Sequence, residues 1–288
     1  MSFWLVTDTG SDLPLSYTQK QKDFTILPLT YQIDGKDYVP TGNDAETKAF
    51  YAKMRAGKSP TTSQINVNTW KETFEALLKQ GHQVLALCFS GGLSGTAEAA
   101  LTAKAELSSK YPPENLIVID SMCASLGQGL YVHYALAMRE EGKSMADTAK
   151  WLTENKSKFA HWFTVDDLQY LRRGGRVSAT SAYLGSVLKI KPVLHVDDAG
   201  KLIPMEKVQG RKRSLKELVA KMKETAVNPK EQTVFISHGD CEEEAQLLAD
   251  MIRKELGVEK FMLGLVGPII GSHSGPGTMA LFFLAEHR

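Results

Sequence analysis

Apolar residues in this chain come in short, nearly unbroken runs, and each run stops at a cluster of Gly, Ser, Thr or Asp. Residues 3–7, 24–29, 84–89 and 116–120 are such runs, with the length and composition of strands buried on both faces. Between them the apolar spacing turns helical. A helix is predicted over about 68–80 with Gly81 as its stop, and another from Ser94 or Gly95 to about residue 109. Helices to about Arg139 and over 144–156 follow. Strand, polar turn and helix in repeated succession predict a parallel sheet covered on both faces, with ligands at the carboxyl ends of the strands. Asp34-Gly35 marks a hairpin over 31–38, Asn43 or Asp44 caps a helix to about Arg55, and Thr61-Thr62-Ser63-Gln64 reads as a hydroxyl-rich loop.

After residue 160 the rhythm changes. A strand over 161–165 and a helical turn over 166–171 lead into a basic loop, Arg172-Arg173-Gly174-Gly175-Arg176, and Ser178 caps a helix to about Leu188. Apolar stretches at 193–196 and 202–208 flank Asp197-Asp198-Ala199-Gly200, which predicts an antiparallel hairpin. A helix over 214–225, a strand over 233–237, a helix over 241–256 and a strand over 261–266 come next. A glycine-rich loop, 267–278, precedes a last strand over 279–284. The expected fold is α/β in two domains. Residues 1–160 form a Rossmann-like domain with a parallel sheet, and 161–288 an α/β domain with a mixed or antiparallel sheet; 288 residues suit that division.

Composition removes alternatives more than it adds any. Hydrophobic residues make up 43% and charged residues 23%, and 34 Lys and Arg against 33 Asp and Glu leave a net charge of +1. Such a balance gives no overall pull toward nucleic acid or a membrane surface. Cys88, Cys123 and Cys241 are far apart and form neither a zinc motif nor a disulfide framework. No run is apolar for long enough to cross a bilayer, and the N-terminal residues reach Asp8 before any leader-type core develops. The expected setting is cytoplasmic.

Candidate chemistry centres on residues 84–100, where a buried strand meets Gly91, Gly92 and Gly95 and then an alanine-rich helix. Such a turn offers backbone N–H groups and a helix dipole to an anion. Gly92-Leu93-Ser94 begins a nucleophile elbow, and Asp120 and His273 follow in hydrolase order, but the second glycine of that motif is missing at Thr96. Neither a P-loop nor a dinucleotide-binding glycine motif occurs. What remains is a neutral donor set: Ser94 and Thr96, Thr61 and Thr62, and a histidine. Neutral donors suit a single charge such as a carboxylate, which must be surrounded by donors once removed from water. Asp8 and Asp120, at strand ends, read as residues that fix turns. Arg172, Arg173 and Arg176 suit either a solvated loop or a phosphate or acidic partner. Lys207, Arg211, Lys212 and Arg213 precede a helix whose dipole they oppose, as a patch kept for a partner would.

Taken in order, Val6-Thr7-Asp8-Thr9-Gly10-Ser11-Asp12-Leu13, Thr61-Thr62-Ser63-Gln64, Ser94-Gly95-Thr96, Asp120-Ser121, Gly127-Gln128-Gly129 and the segments 171–176 and 267–277 resemble the motifs of the DegV family. These are bacterial fatty-acid-binding proteins that include the FakB subunits of fatty acid kinase. The resemblance spans the chain, with Gly10 standing where many members carry a small alanine or serine. It implies a long-chain fatty acid such as palmitate held between two α/β domains. Thr62 or its neighbour Thr61, together with Ser94 in the Ser94-Gly95-Thr96 turn, would hydrogen-bond the carboxylate, and His273 would approach it. It further implies a separate ATP-dependent kinase that phosphorylates the bound carboxylate, with no cofactor and no catalysis in this chain. On the charge pattern alone, Arg172, Arg173, Arg176, Arg211, Lys212 and Arg213 are expected to help dock that kinase or an acyl-phosphate-using enzyme. For a sixteen-carbon chain, about fourteen methylenes at about 0.8 kcal/mol each give about 11 kcal/mol of gross transfer free energy before ordering costs. Two other readings stand beside this one: a lipid carrier or sensor without a kinase, and a serine hydrolase using Ser94 and His273.

Overall fold

The computed structural model describes residues 3–177 and 190–288. The helix expected from Ser178 to about Leu188 lies outside the described residues. The first half runs β1 (Trp4–Asp8), α1 (Leu15–Thr18), β2 (Phe24–Leu27), β3 (Thr30–Ile33), β4 (Lys36–Tyr38), α2 (Asp44–Arg55), β5 (Thr61–Ser63), α3 (Val67–Lys79), β6 (Val84–Cys88), α4 (Thr96–Leu107), β7 (Leu116–Asp120), α5 (Leu126–Glu140) and α6 (Met145–Glu154). The second half runs β8 (Phe159–Thr164), α7 (Gln169–Arg173), β9 (Ile190–Val196), β10 (Leu202–Gln209), α8 (Arg211–Thr225), β11 (Thr233–His238), α9 (Glu242–Leu256), β12 (Lys260–Leu265), α10 (Pro268–Ser274) and β13 (Met279–Leu284).

Two main sheets result. The first is parallel, in the order β2-β1-β6-β7. The second has the order β10-β9-β8-β13-β11-β12 and is mixed, with β11 and β12 parallel and its other neighbours antiparallel. The α/β fold expected from the sequence is therefore observed, with a parallel sheet in one half and a mixed sheet in the other. The division expected after residue 160 falls within β8, at the start of the second sheet.

Alternation along the strands sets the layers, since successive side chains point to opposite faces. Val6, Val84 and Ala86 pack on Trp70 and Phe74 of α3 and on Ala99, Ala100 and Ala103 of α4. Leu5, Leu85 and Leu87 point the other way, into a core shared with Leu130 and Val132 of α5 and with Phe163, Phe235 and Phe282 of the second sheet. That sheet's far face, with Trp162, Val234, Ile236 and Leu281, is covered by Leu218 of α8 and by Leu248 and Ile252 of α9. The order is thus helices, sheet, α5, sheet, helices. Helix α5 lies so tightly against the second sheet that a Cβ on Gly127 would overlap the His161 ring.

Four local expectations are corrected. Residues 61–63 are a strand rather than a loop, because β5 pairs with β3 and sets Thr62 opposite Tyr31 in a third, small sheet with β4. Arg172 and Arg173 belong to the last turn of α7 rather than to a loop. Helix α8 starts at Arg211, so Arg211, Lys212 and Arg213 form its first turn instead of preceding it. The 267–278 segment contains α10, which Pro268 opens at a position where no N–H is needed and Gly275, at φ 82°, closes.

Candidate functional site

The glycine turn after β6 leaves fewer free backbone donors than expected of it, because the N–H groups of residues 89–94 are all taken within the fold. Phe89 N–H donates to Asp8 Oδ2 at 2.8 Å and Gly91 N–H to the Asp120 carboxylate at 3.1–3.2 Å. Gly92 N–H donates to Ser90 Oγ, Ser90 N–H to the Cys123 carbonyl, and Leu93 and Ser94 N–H to the Ser90 carbonyl. The fold itself consumes these donors, as buried backbone groups require. Asp8, which also accepts from Gly10 N–H at 2.9 Å, and Asp120, which also accepts from Met122 N–H at 2.8 Å, fix turns as the sequence suggested. Gly92 serves close approach, since the Ala199 carbonyl of the second sheet's hairpin occupies the space of a side chain there. What the turn does offer is Ser94.

Ser94 and Gly95 lie in the wall of a cavity between the two main sheets. Leu29, Phe89 and Leu93 line it from the first half, and Phe163, Val196 and Phe282 from the second. One group of its polar residues lies where β5, the Ser94 turn, the end of α7 and α10 converge. Thr62 Oγ1 and His273 Nε2 share a hydrogen bond of 2.8 Å across 211 residues of sequence. Ser94 Oγ shares one of 2.9 Å with Thr96 Oγ1. Arg176 ties the two pairs together. Its Nε donates to the Leu93 carbonyl at 3.1 Å and its Nη1 to the Gly174 carbonyl, while Gly174 packs so closely on His273 Nδ1 that a Cβ would overlap it.

Burial and the nearby Arg176 charge push the His273 imidazole down to about 4, so it is neutral at pH 7. A neutral ring carries one proton. With that proton on Nε2, His273 donates to the Thr62 oxygen and frees the Thr62 hydroxyl to donate into the cavity. His161 is also neutral, pushed down to about 3 chiefly by burial, and its Nδ1 lies 2.8 Å from the Phe159 carbonyl. Among the described residues no cluster of three or more His, Cys, Asp or Glu could hold a metal ion.

The other candidates are spread out. Thr96 is fully buried, behind Ser94 rather than in the cavity wall. Thr61 is exposed and faces an outer chamber that Arg173 also lines. Arg172 is exposed, as are Lys212 and Arg213. Arg211 has its partner inside the protein, donating from Nη2 at 2.8 Å and from Nε at 3.0 Å to Glu244. A hydrolase arrangement is not formed, since Ser94 bonds Thr96 and His273 bonds Thr62, and Asp120 bonds only backbone N–H groups.

Sequence reading passed over Ser125 and Ser237, which also line the cavity. Ser125 precedes α5 at φ 53°, a strained conformation for a residue with a Cβ. Its Oγ donates to Asp12 Oδ2 at 2.6 Å and lies 2.9 Å from Ser237 Oγ, so that Asp12, α5 and the second sheet meet there. Burial pushes the Asp12 carboxyl up to about 7. No spacing along the chain announces this trio, because its members are more than 110 residues apart.

Two α/β sheets thus enclose a largely apolar cavity lined also by uncharged hydrogen-bonding groups and one guanidinium, the build that sites for amphipathic small molecules share. The chain belongs to the DegV family: the profile of that family, described as an uncharacterised protein family, matches residues 2–286. A DegV domain-containing protein of Clostridium perfringens is 46% identical over 287 residues, covering 99% of this chain and 98% of the relative. Among solved structures, a DegV lipid-binding protein from Thermotoga maritima superposes with a TM-score of 0.87 at 29% identity, covering 100% of both chains. A DegV family protein from Thermus thermophilus, described for its fatty acid binding, gives 0.87 at 30% identity and covers 99% of this chain and 100% of its own. No helix among the described residues is long and apolar enough to cross a membrane.

Proposed function

We propose that this protein binds a long-chain fatty acid in the cavity between its two halves, residues 1–160 bringing Thr62 and Ser94 and residues 161–288 bringing Arg176 and His273. The observation that carries this reading is the meeting of those four residues at one side of a mostly apolar cavity. The Thr62 and Ser94 hydroxyls and the Arg176 guanidinium donate to the carboxylate, and His273 acts through Thr62. The fatty-acid binding described for the Thermus thermophilus relative supports the same ligand class. Apolar walls supply affinity through the tail, and the donors set which end enters.

The chain would then act as a carrier that presents the carboxylate to a separate ATP-dependent fatty acid kinase, supplying no catalytic group itself. Lys212 and Arg213, exposed in a helix turn without acidic residues, are the docking charges. Mass spectrometry of lipid extracted from the purified protein tests the ligand. Sixteen- to eighteen-carbon fatty acids are expected at near one per chain, and an empty protein that takes up no added palmitate would overturn the reading.

A further inference from the structure

A second groove, of about 470 Å³, runs between α1, the loop before α2 and the junction of β12 with α10. Pro14, Leu15, Val39, Pro40, Leu263 and Pro268 give it apolar walls, and Leu15 and Val39 are exposed. Ile269 stands in the wall of both this groove and the acyl cavity, yet the two spaces are charged in opposite senses. The acyl cavity is lined by Arg176 and by no carboxylate, and the groove by Asp12 and Asp44 and by no Lys, Arg or His among the described residues. Asp44 is exposed in the first turn of α2, where its charge suits the helix dipole. The fold accounts for Asp12 only in part. Its Oδ2 accepts from Ser125, but its Oδ1 is buried without a hydrogen-bond partner, and a buried acceptor without a donor is costly. Apart from the chain neighbours of Gly267, the only atoms within 4 Å of where a side chain on that residue would begin belong to the Asp12 carboxylate, with Oδ1 at 2.6 Å. Gly267 has φ −67°, which any residue adopts, so the glycine serves room beside Asp12 rather than backbone conformation. An ammonium group is the donor that best fits an ionised carboxylate in an apolar wall, and with no cation in the groove it must come with the ligand.

We propose that this groove is a second binding site, for a compact apolar amine whose ammonium group donates to the Asp12 carboxylate beside Gly267 while its body lies against Pro14, Leu15 and Val39. The site does not depend on the fatty-acid reading. Asp12 and Asp44 repel a second carboxylate, so the groove and the acyl cavity select ligands of opposite charge.

NMR titration of the isotope-labelled full chain tests this with three molecules of similar shape and different charge: cyclohexylmethylamine, cyclohexylmethanol and cyclohexanecarboxylate. The titration is run at pH 8, where the Asp12 carboxyl, which burial pushes up to about 7, is ionised. The amine is expected to bind saturably, with shifts centred on Gly42, Gly264 and Gly267, and about tenfold or more tighter than the alcohol. The carboxylate is expected not to bind there, and excess palmitate should not displace the amine. Asp12→Asn should weaken the amine about tenfold or more, and Leu15→Lys, which sets a cation at the exposed edge, about fivefold. Equal affinity for amine and alcohol, an affinity unchanged by either folded variant, shifts centred on the acyl cavity, displacement by palmitate, or no saturable binding of the amine would overturn the proposal. Thermal melting shows whether each variant is folded, and because Leu15 is exposed, Leu15→Lys decides the matter if Asp12→Asn does not fold.

Discussion

The two hydroxyl pairs of the cavity are built in opposite ways. Ser94 and Thr96 are two residues apart, and one turn sets their 2.9 Å contact. Thr62 and His273 are 211 residues apart, and their 2.8 Å contact exists only because the edge strand β5 and helix α10 are brought together from different halves. A local pair forms wherever its turn forms. A remote pair reports whether the two halves are closed on each other, so it is the more sensitive element of the site.

The largest effect expected of breaking this contrast is at Thr62. Thr62→Val removes the hydroxyl while keeping the shape. A hydrogen bond to a charged group contributes about 1.5–3 kcal/mol, so palmitate affinity should fall about 10- to 150-fold, measured by calorimetry, with Thr62→Ser close to wild type. Ser94→Ala should cost less, about three- to tenfold, because Thr96 and the Arg176 guanidinium remain nearby. A fluorophosphonate probe should leave Ser94 unlabelled; labelling abolished by Ser94→Ala would restore the hydrolase reading. Double-mutant cycles then compare the pairs directly. In palmitate affinity, the Thr62/His273 cycle with Val and Gln should show coupling of about 1 kcal/mol, and the Thr62/Ser94 cycle little.

Next in size is the pH dependence of stability, where the buried carboxyl and the buried imidazole have opposite signs. The Asp12 carboxyl is raised from 3.8 to about 7, so the native state holds its proton more tightly and this group's contribution declines as pH rises through about 4 to 7. The His273 imidazole is lowered from 6.5 to about 4, so its contribution is full above about 6.5 and declines as pH falls toward 4. In melts from pH 4 to 8, Asp12→Asn should therefore gain most over wild type above pH 7, and His273→Gln should gain most below pH 5. Parallel curves for wild type and either variant would remove that group from the account. The smallest effect is expected of Arg213→Glu, which should slow kinase-dependent phosphorylation several-fold at low salt, less at high salt, and leave palmitate affinity unchanged.

The parts of the fold that the sequence made legible were those that local chemistry controls. Unbroken apolar runs such as 84–88 marked strands covered on both faces, and β6 is buried at every position. Asp34-Gly35 marked its hairpin, and Asn43 and Gly81 marked helix ends. The glycine turn offers fewer free donors than its sequence suggests, because Asp8 and Asp120 reach the Phe89 and Gly91 N–H groups from neighbouring strands and Ser90 takes those of Gly92, Leu93 and Ser94. Thr61-Thr62-Ser63 looked like a loop because three polar residues carry no strand pattern by themselves; pairing with β3 decides their state.

The sequence by itself therefore determined the α/β class, the change from parallel to mixed pairing, and which hydroxyl-bearing segments and which histidine to examine. These depend on periodicity, turn chemistry and residue type, all of which act within a few positions of the chain. Only the tertiary structure decided that Thr62 rather than Thr61 lines the cavity, that Thr96 lies behind Ser94, that Arg176 joins the site while Arg211 is paired elsewhere, and that Ser125, Ser237 and Asp12 meet at all. Each of these turns on which way a side chain points once two sheets and α5 have packed, and no short window of sequence contains that information.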